Sequence, residues 1–291
     1  MTISSQEVLE RYRRYSNDLM EILRLRTKPV GVALLDRDPD EIGISAFRPF
    51  RHFRRKLTFC QMTAAARYYG MGMVATLEDM ACPGEIIIFG FAEPPDYFLD
   101  GSLSYGLYTR TKEAGKALDN SLPRLPVGRY KALLTMPPLD NVIYEPQVVM
   151  IYGTPGQMVK LVTAYVYISG EKVTLSASGK AGGSDTAVAE VLLTGKPRLA
   201  LPGYGDRIVG HVEDYEMLFV TPASLLGDLI DALKEQSKTN FIVYPPMPSI
   251  FYRVDFSAIP VIGPLYDKFL KEVDEKVRKE RGGGAGEGRG T

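Results

Sequence analysis

Two cysteines, Cys60 and Cys82, are the side chains of this sequence whose chemistry is most readily specified. Cys60 falls in the first turn of a predicted helix over 58–69, behind Arg48, Arg51, Arg54, Arg55 and Lys56. A helix N-terminus and nearby cations both favour a thiolate, so the sequence predicts a lowered pKa for Cys60. Cys82 sits in the small-residue turn Ala-Cys-Pro-Gly, and the 21 residues between the two allow a helix to return through a strand, so that the sulfurs could meet. Two thiolates can share a metal, form a disulfide or ligate an iron–sulfur cluster. The first functional expectation is therefore a redox protein with a thiolate-bound metal or iron–sulfur cluster at Cys60 and Cys82. Such a cluster would need further ligands or a second subunit, because two cysteines cannot build a four-thiolate site. The plainer alternative is that both pack as small hydrophobes, as buried free cysteines commonly do.

Three other segments carry groups suited to ligands. The run RPFRHFRRK (48–56) holds five cations, and Arg55 and Lys56 are candidates for a phosphate or carboxylate. A salt-bridged surface with its phenylalanines turned inward would give the same pattern. In Leu201-Pro-Gly-Tyr-Gly-Asp-Arg207, Gly203 and Gly205 let backbone approach a ligand, while Asp206 and Arg207 offer a carboxylate and a guanidinium. A tight turn with a local Asp206–Arg207 pair is its bland counterpart. Thr154-Pro-Gly-Gln157 opens a helix after a strand, a frequent place for ligand contact, and Gln157 is a candidate there. These residues support a second class, a non-redox enzyme or binding protein for an anionic small molecule. Arg207 and Gln157 would orient it, and Asp206 or Glu216 would act on protons. A third class is a partner-binding protein or homo-oligomer using Tyr97, Tyr105 and Tyr108 as an interface.

Other motifs are missing. Gly203-x-Gly205 lacks the third glycine of a dinucleotide fingerprint, and Gly-Lys-Ala-Gly-Gly (179–183) lacks the Gly-Lys-Ser/Thr ending of a Walker loop. No Ser/His/Asp order, HExxH or paired-carboxylate motif stands out, and His52 and His211 read as structural groups.

The elements that must position these residues alternate between strand and helix, which implies an α/β or α+β fold. Helices are predicted over 5–26, 58–69, 94–119, 155–168, 184–193 and 223–235, and strands over 30–35, 86–91, 130–137, 147–152, 172–176, 198–201 and 216–220. The chain divides into an N-terminal helix (1–27), a first half (28–140), a second half (141–250), a C-terminal helical segment (251–280) and a flexible glycine-rich tail (281–291). Shifting the sequence by 100 residues superposes Thr63, Ala64, Gly70 and Ala81 on Thr163, Ala164, Gly170 and Ala181. Together with the shared order strand, helix, glycine stop, this makes an internal duplication a candidate. The expected architecture is two similar halves packed as one unit with a cleft between them.

Composition narrows the classes. The 35 basic and 35 acidic side chains sum to zero, which argues against non-specific nucleic-acid binding. No window resembles a secretory signal or a membrane-spanning helix, so no membrane partner is expected and a cytoplasmic location is. Only four asparagines and five glutamines stand beside plentiful Arg, Glu and Pro, a thermophile-like composition.

Several pieces, taken in order, resemble a family. They are Lys28-Pro-Val-Gly-Val32, Phe59-Cys-Gln61 with Ala66-Arg67 and Gly70, and Cys82-Pro with the Ile-Phe-Gly90 run. Leu125-Pro-Val-Gly128, Pro146-Gln-Val-Val149 with Pro155-Gly-Gln157, and Leu201 to Arg207 followed by Glu216 complete the set. This order resembles the archaeal and bacterial family called domain of unknown function 169, over roughly residues 8–250. The resemblance implies a cytoplasmic single-family protein and draws attention to the cysteines, but implies no reaction. It also implies a further cysteine in some members near Gly182-Gly183-Ser184. This chain has none there, so it lacks the third thiolate that such a cluster would use.

Overall fold

The computed structural model describes residues 6–180, 182–238, 244–245 and 263–282. Seven strands form one sheet: β1 (Val30–Leu35), β2 (Met73–Ala75), β3 (Ala132–Pro138), β4 (Val148–Gly153), β5 (Thr174–Ser176), β6 (Arg198–Ala200) and β7 (Met217–Pro222). Their spatial order is β2-β3-β1-β4-β7-β6-β5. All pairs are antiparallel except β5–β6. The helices are α1 (Gln6–Leu23), α2 (Pro49–Phe53), α3 (Phe59–Tyr69), α4 (Pro83–Ile88), α5 (Asp96–Leu99) and α6 (Lys112–Ser121). After them come α7 (Pro155–Ser169), a π-helical stretch (Ser184–Ala189) running into α8 (Glu190–Thr194), α9 (Tyr204–Ile208), α10 (Leu226–Ser237) and α11 (Gly263–Gly282). No helix among the described residues is long and apolar enough to cross a membrane.

The side-chain alternation of the strands sorts these helices onto two faces. Val30, Val32 and Leu34 of β1, with Val148, Met150 and Tyr152 of β4, join one core with Phe59 and Met62 of α3, Ile87 and Ile88 of α4, and Ala187 and Val188 of the π-helical stretch. Val149 and Ile151 point to the other face, where they meet Leu19 and Leu23 of α1, Leu161 of α7 and Leu229 of α10. The fold is thus an α/β sheet covered on both sides. Residues 1–236 form one compact unit, and 237–291 a second.

The expected boundary at 140/141 falls inside this sheet, between β3 and β4, while β1 and β4 pair directly. The two superposable runs are alike locally. Thr58 and Thr154 each close a capping box with the glutamine three residues on, and Gly70 and Gly170 each end their helix in the left-handed conformation. But α3 has 11 residues and α7 has 15, and the two helices lie on opposite faces of the sheet. The duplication is not confirmed. Ala181, one of its matched positions, lies outside the described residues, as do 251–262 and the expected flexible tail over 283–291.

Two expectations change. Ile86–Phe91 is not a strand: the β-branched run Ile86-Ile87-Ile88 lies wholly in α4, which Pro83 starts and which buries Ile87 and Ile88 in the core. The segment 94–119 is two helices, because Gly101 and Gly106 turn the chain between α5 and α6 with φ of 87° and 81°.

Candidate functional site

Four sequence motifs converge on one cavity of about 290 Å³ on the α3–α4 face. Cys60 enters from the first turn of α3, Cys82 from the residue before α4, and Gly205 and Asp206 from α9. Ser184 and Asp185 enter from the π-helical stretch, and Ile88, Phe98, Leu103 and Leu122 supply an apolar wall. Residues from both sides of position 140 therefore share the cavity.

The polar end is built around Cys60. Its Sγ lies 3.5 Å from Glu85 Oε1 and 3.4 Å from Asp206 Oδ1. Glu85 is held because its Oε2 accepts the Phe59 N–H at 2.8 Å, one of the N–H groups that the first turn of α3 leaves without a helical partner. Asp206 is held because its Oδ2 accepts the N–H groups of Gly203 and Gly183, at 3.0 and 3.2 Å. Helix starts and glycine-rich backbone thus aim two carboxyl groups at one thiol.

Burial dominates the electrostatics of this cluster. Desolvation pushes Glu85 up to about 7, against backbone hydrogen bonds from α3 that favour its charge. Desolvation also raises Asp206 and Asp185. Cys60 is pushed well above the ordinary thiol range by burial and then by Asp206 and Glu85, and Cys82 is raised by burial and Glu85. This overturns the expected low pKa of Cys60. The nearby cations do not reach it: Arg48 is paired with Asp79 at 2.8 Å and Arg51 with Asp40 at 2.8 Å. The two side chains to which the sulfur hydrogen-bonds are both acids. Both thiols are free, and among the described residues no group of three or more His, Cys, Asp or Glu side chains is arranged to hold a metal ion.

Lys180 forms the cavity's basic side. Its Nζ donates to Asp119 Oδ1 at 2.6 Å and to Ser104 Oγ at 2.9 Å, and lies 5.3 Å from the Phe98 ring centroid. Behind the cavity, buried Tyr152 stacks against the Arg67 guanidinium at 3.8 Å, and Arg67 pairs with Glu216 at 2.6 Å.

The other sequence candidates lie elsewhere. Arg55 and Lys56 are exposed and do not line the cavity. Gln157 closes the α7 capping box, and its amide donates to the carbonyls of Leu23 and Arg24 on the opposite face. Arg207 donates to the Glu213 carbonyl at 2.7 Å and also does not line the cavity. Gly203 contributes its N–H to Asp206 rather than an open loop. Glu216, the alternative proton-transfer group, is committed to Arg67. Sequence reasoning missed Glu85, Asp185 and Lys180. The available signals were an acid three positions after Cys82, an acid directly after Gly-Gly-Ser, and the lysine of the Gly-Lys-Ala-Gly-Gly run.

The DUF169 family model, described as uncharacterised ArCR, matches residues 18–232. The chain belongs to this family. It is also similar to uncharacterized protein MJ0308 of Methanocaldococcus jannaschii, at 25% identity over 224 residues, covering 76% of this chain and 93% of that protein. No solved structure matches. All the residues of the cavity lie within the segment that defines this DUF169 protein.

Proposed function

We propose that the cavity is the active site of an enzyme that moves protons on a small, largely apolar organic molecule. The observation that carries this reading is the contact of one neutral thiol with two buried carboxyl groups, Glu85 and Asp206, at the end of an apolar cavity. A carboxyl group near neutrality gives and takes protons at physiological pH, which general acid–base catalysis requires. Glu85 is the group so placed, at about 7. Asp206 is fixed in position by two backbone N–H groups, and the Cys60 S–H can donate to either carboxylate. A thiol raised in this way is a proton donor rather than a free thiolate nucleophile, which supports proton transfer as the chemistry of the cavity.

Carboxyl-carbon NMR of the protein labelled at Glu and Asp tests it. One glutamate carboxyl should titrate between about pH 6 and 8, well above an ordinary glutamate, and its signal should vanish in Glu85→Gln. If every glutamate has finished titrating below about pH 6, the proposed proton carrier does not exist.

A further inference from the structure

We infer that the cavity selects a compact organic cation, a protonated amine on an apolar body, rather than the anionic ligand that the arginine-rich segments suggested. This rests on the reading of the cavity as a small-molecule site. It goes further by fixing the charge class of what enters.

The first support is the inventory of polar groups. Three carboxyl groups, Glu85, Asp185 and Asp206, line the cavity, against one ammonium, Lys180. That ammonium already donates to Asp119 and Ser104, so it is engaged before any ligand arrives. Two arginines stand near the cavity without lining it: Arg67, paired with Glu216, and Arg124, over the Phe98 ring. An anion entering here would face three carboxyl groups and, among the described lining residues, one cation that is already paired. A cation would find acceptors.

The second support is independent of that count. Asp185 is 0% exposed and lines the cavity, yet only one of its oxygens is used. Oδ1 accepts the Thr186 N–H at 2.5 Å, whereas Oδ2 is buried with no hydrogen-bond partner. A buried carboxyl oxygen without a partner is costly, and a ligand ammonium would both supply the donor and favour the ionised form that burial otherwise opposes. A charge-assisted bond of this kind is also stronger than a neutral one.

The remaining lining fixes the ligand's other end. Ile88, Leu103 and Leu122 are apolar, and the Phe98 and Tyr108 rings already accept a cationic neighbour in Lys180. A cavity of about 290 Å³ takes one ring-sized body and a short arm.

Three probes of nearly equal shape separate the charge classes: phenethylamine, phenethyl alcohol and phenylacetate. Each is titrated into full-length protein carrying labelled isoleucine and leucine methyl groups, and the Ile88 and Leu122 signals report entry. Phenethylamine should bind about tenfold more tightly than the alcohol, and phenylacetate should not enter. Asp185→Asn should remove most of the amine's advantage and leave the alcohol unchanged. Equal or tighter binding of the alcohol or phenylacetate at these methyls overturns the inference. So does the failure of all three to shift them at millimolar concentration. Neither result touches the proton-transfer reading, which stands or falls on the Glu85 titration. If Asp185→Asn does not fold, the ranking of the three probes on the unmodified protein decides.

Discussion

Glu85 makes folding depend on pH in a direction opposite to that of an ordinary surface carboxylate. Its folded pKa is about 7 against an ordinary 4.5, so the folded chain holds this proton more tightly than the unfolded one. The native state binds more protons between these values, and the stability contributed by this group falls as pH rises from about 4.5 to about 7. Above that range the full cost of ionising a buried carboxyl applies, on the order of 3 kcal/mol. Glu85→Gln keeps an oxygen for the Phe59 N–H but removes the charge. The variant should match or slightly trail the unmodified protein near pH 4 and exceed it in unfolding free energy by 2–3 kcal/mol near pH 8, as a rough expectation from the same linkage. Urea unfolding at a series of pH values reads this difference. Parallel stability curves for the two proteins would show that Glu85 ionises freely in the folded state.

At the scale of elements, the cavity depends on how closely α9 approaches the turn before the π-helical stretch. A methyl on Gly182 would stand 2.6 Å from the Leu201 carbonyl oxygen and 3.0 Å from Pro202 Cα, both backbone atoms that cannot swing aside. It would also stand 3.2 Å from Asp206 Oδ2. Gly182→Ala should therefore push the start of α9 outward and cost about 1–3 kcal/mol. The unfolding temperature should fall, and the Glu85 titration should move as Asp206 withdraws from Cys60. An unchanged melt and titration would mean that the two segments part without cost. Gly182 also shows what the sequence made legible. Glycine-rich turns, proline starts and Thr-x-x-Gln caps are local signals, so β1, α3 and α7 and the glycine-rich turn that carries Asp206 could be read directly. Glu85 could not, because its partners are the Phe59 N–H and the Cys60 sulfur, 26 and 25 residues away. Ile86–Ile88 misled for a related reason: three β-branched residues favour a strand, yet burial against the sheet and Pro83 at the first turn make them helical. The pKa of Cys60 inverted for the same cause. Sequence proximity to five cations was no guide once Arg48 and Arg51 found acids of their own.

At the scale of the whole chain, two independent boundaries nearly coincide. The family match ends at residue 232, and the first compact unit ends at Gln236, the penultimate residue of α10. That unit contains the whole sheet, both main cores and every residue of the cavity. The described part of the second unit is chiefly α11, which shows a stripe of exposed apolar side chains at helical spacing: Tyr266, Leu270, Val273 and Val277. The two main cores of the first unit consist entirely of its own residues, so their burial does not call on the second unit. The chain ended after Gln236 should therefore fold by itself. Its unfolding temperature should lie within about 4 °C of the full chain, the shift produced by roughly 1 kcal/mol in a unit of this size. Its Glu85 titration should be unchanged. A fall of more than about 10 °C, or the loss of the near-neutral carboxyl signal, would show that residues 237–291 support the core and that the family boundary does not mark the folding unit.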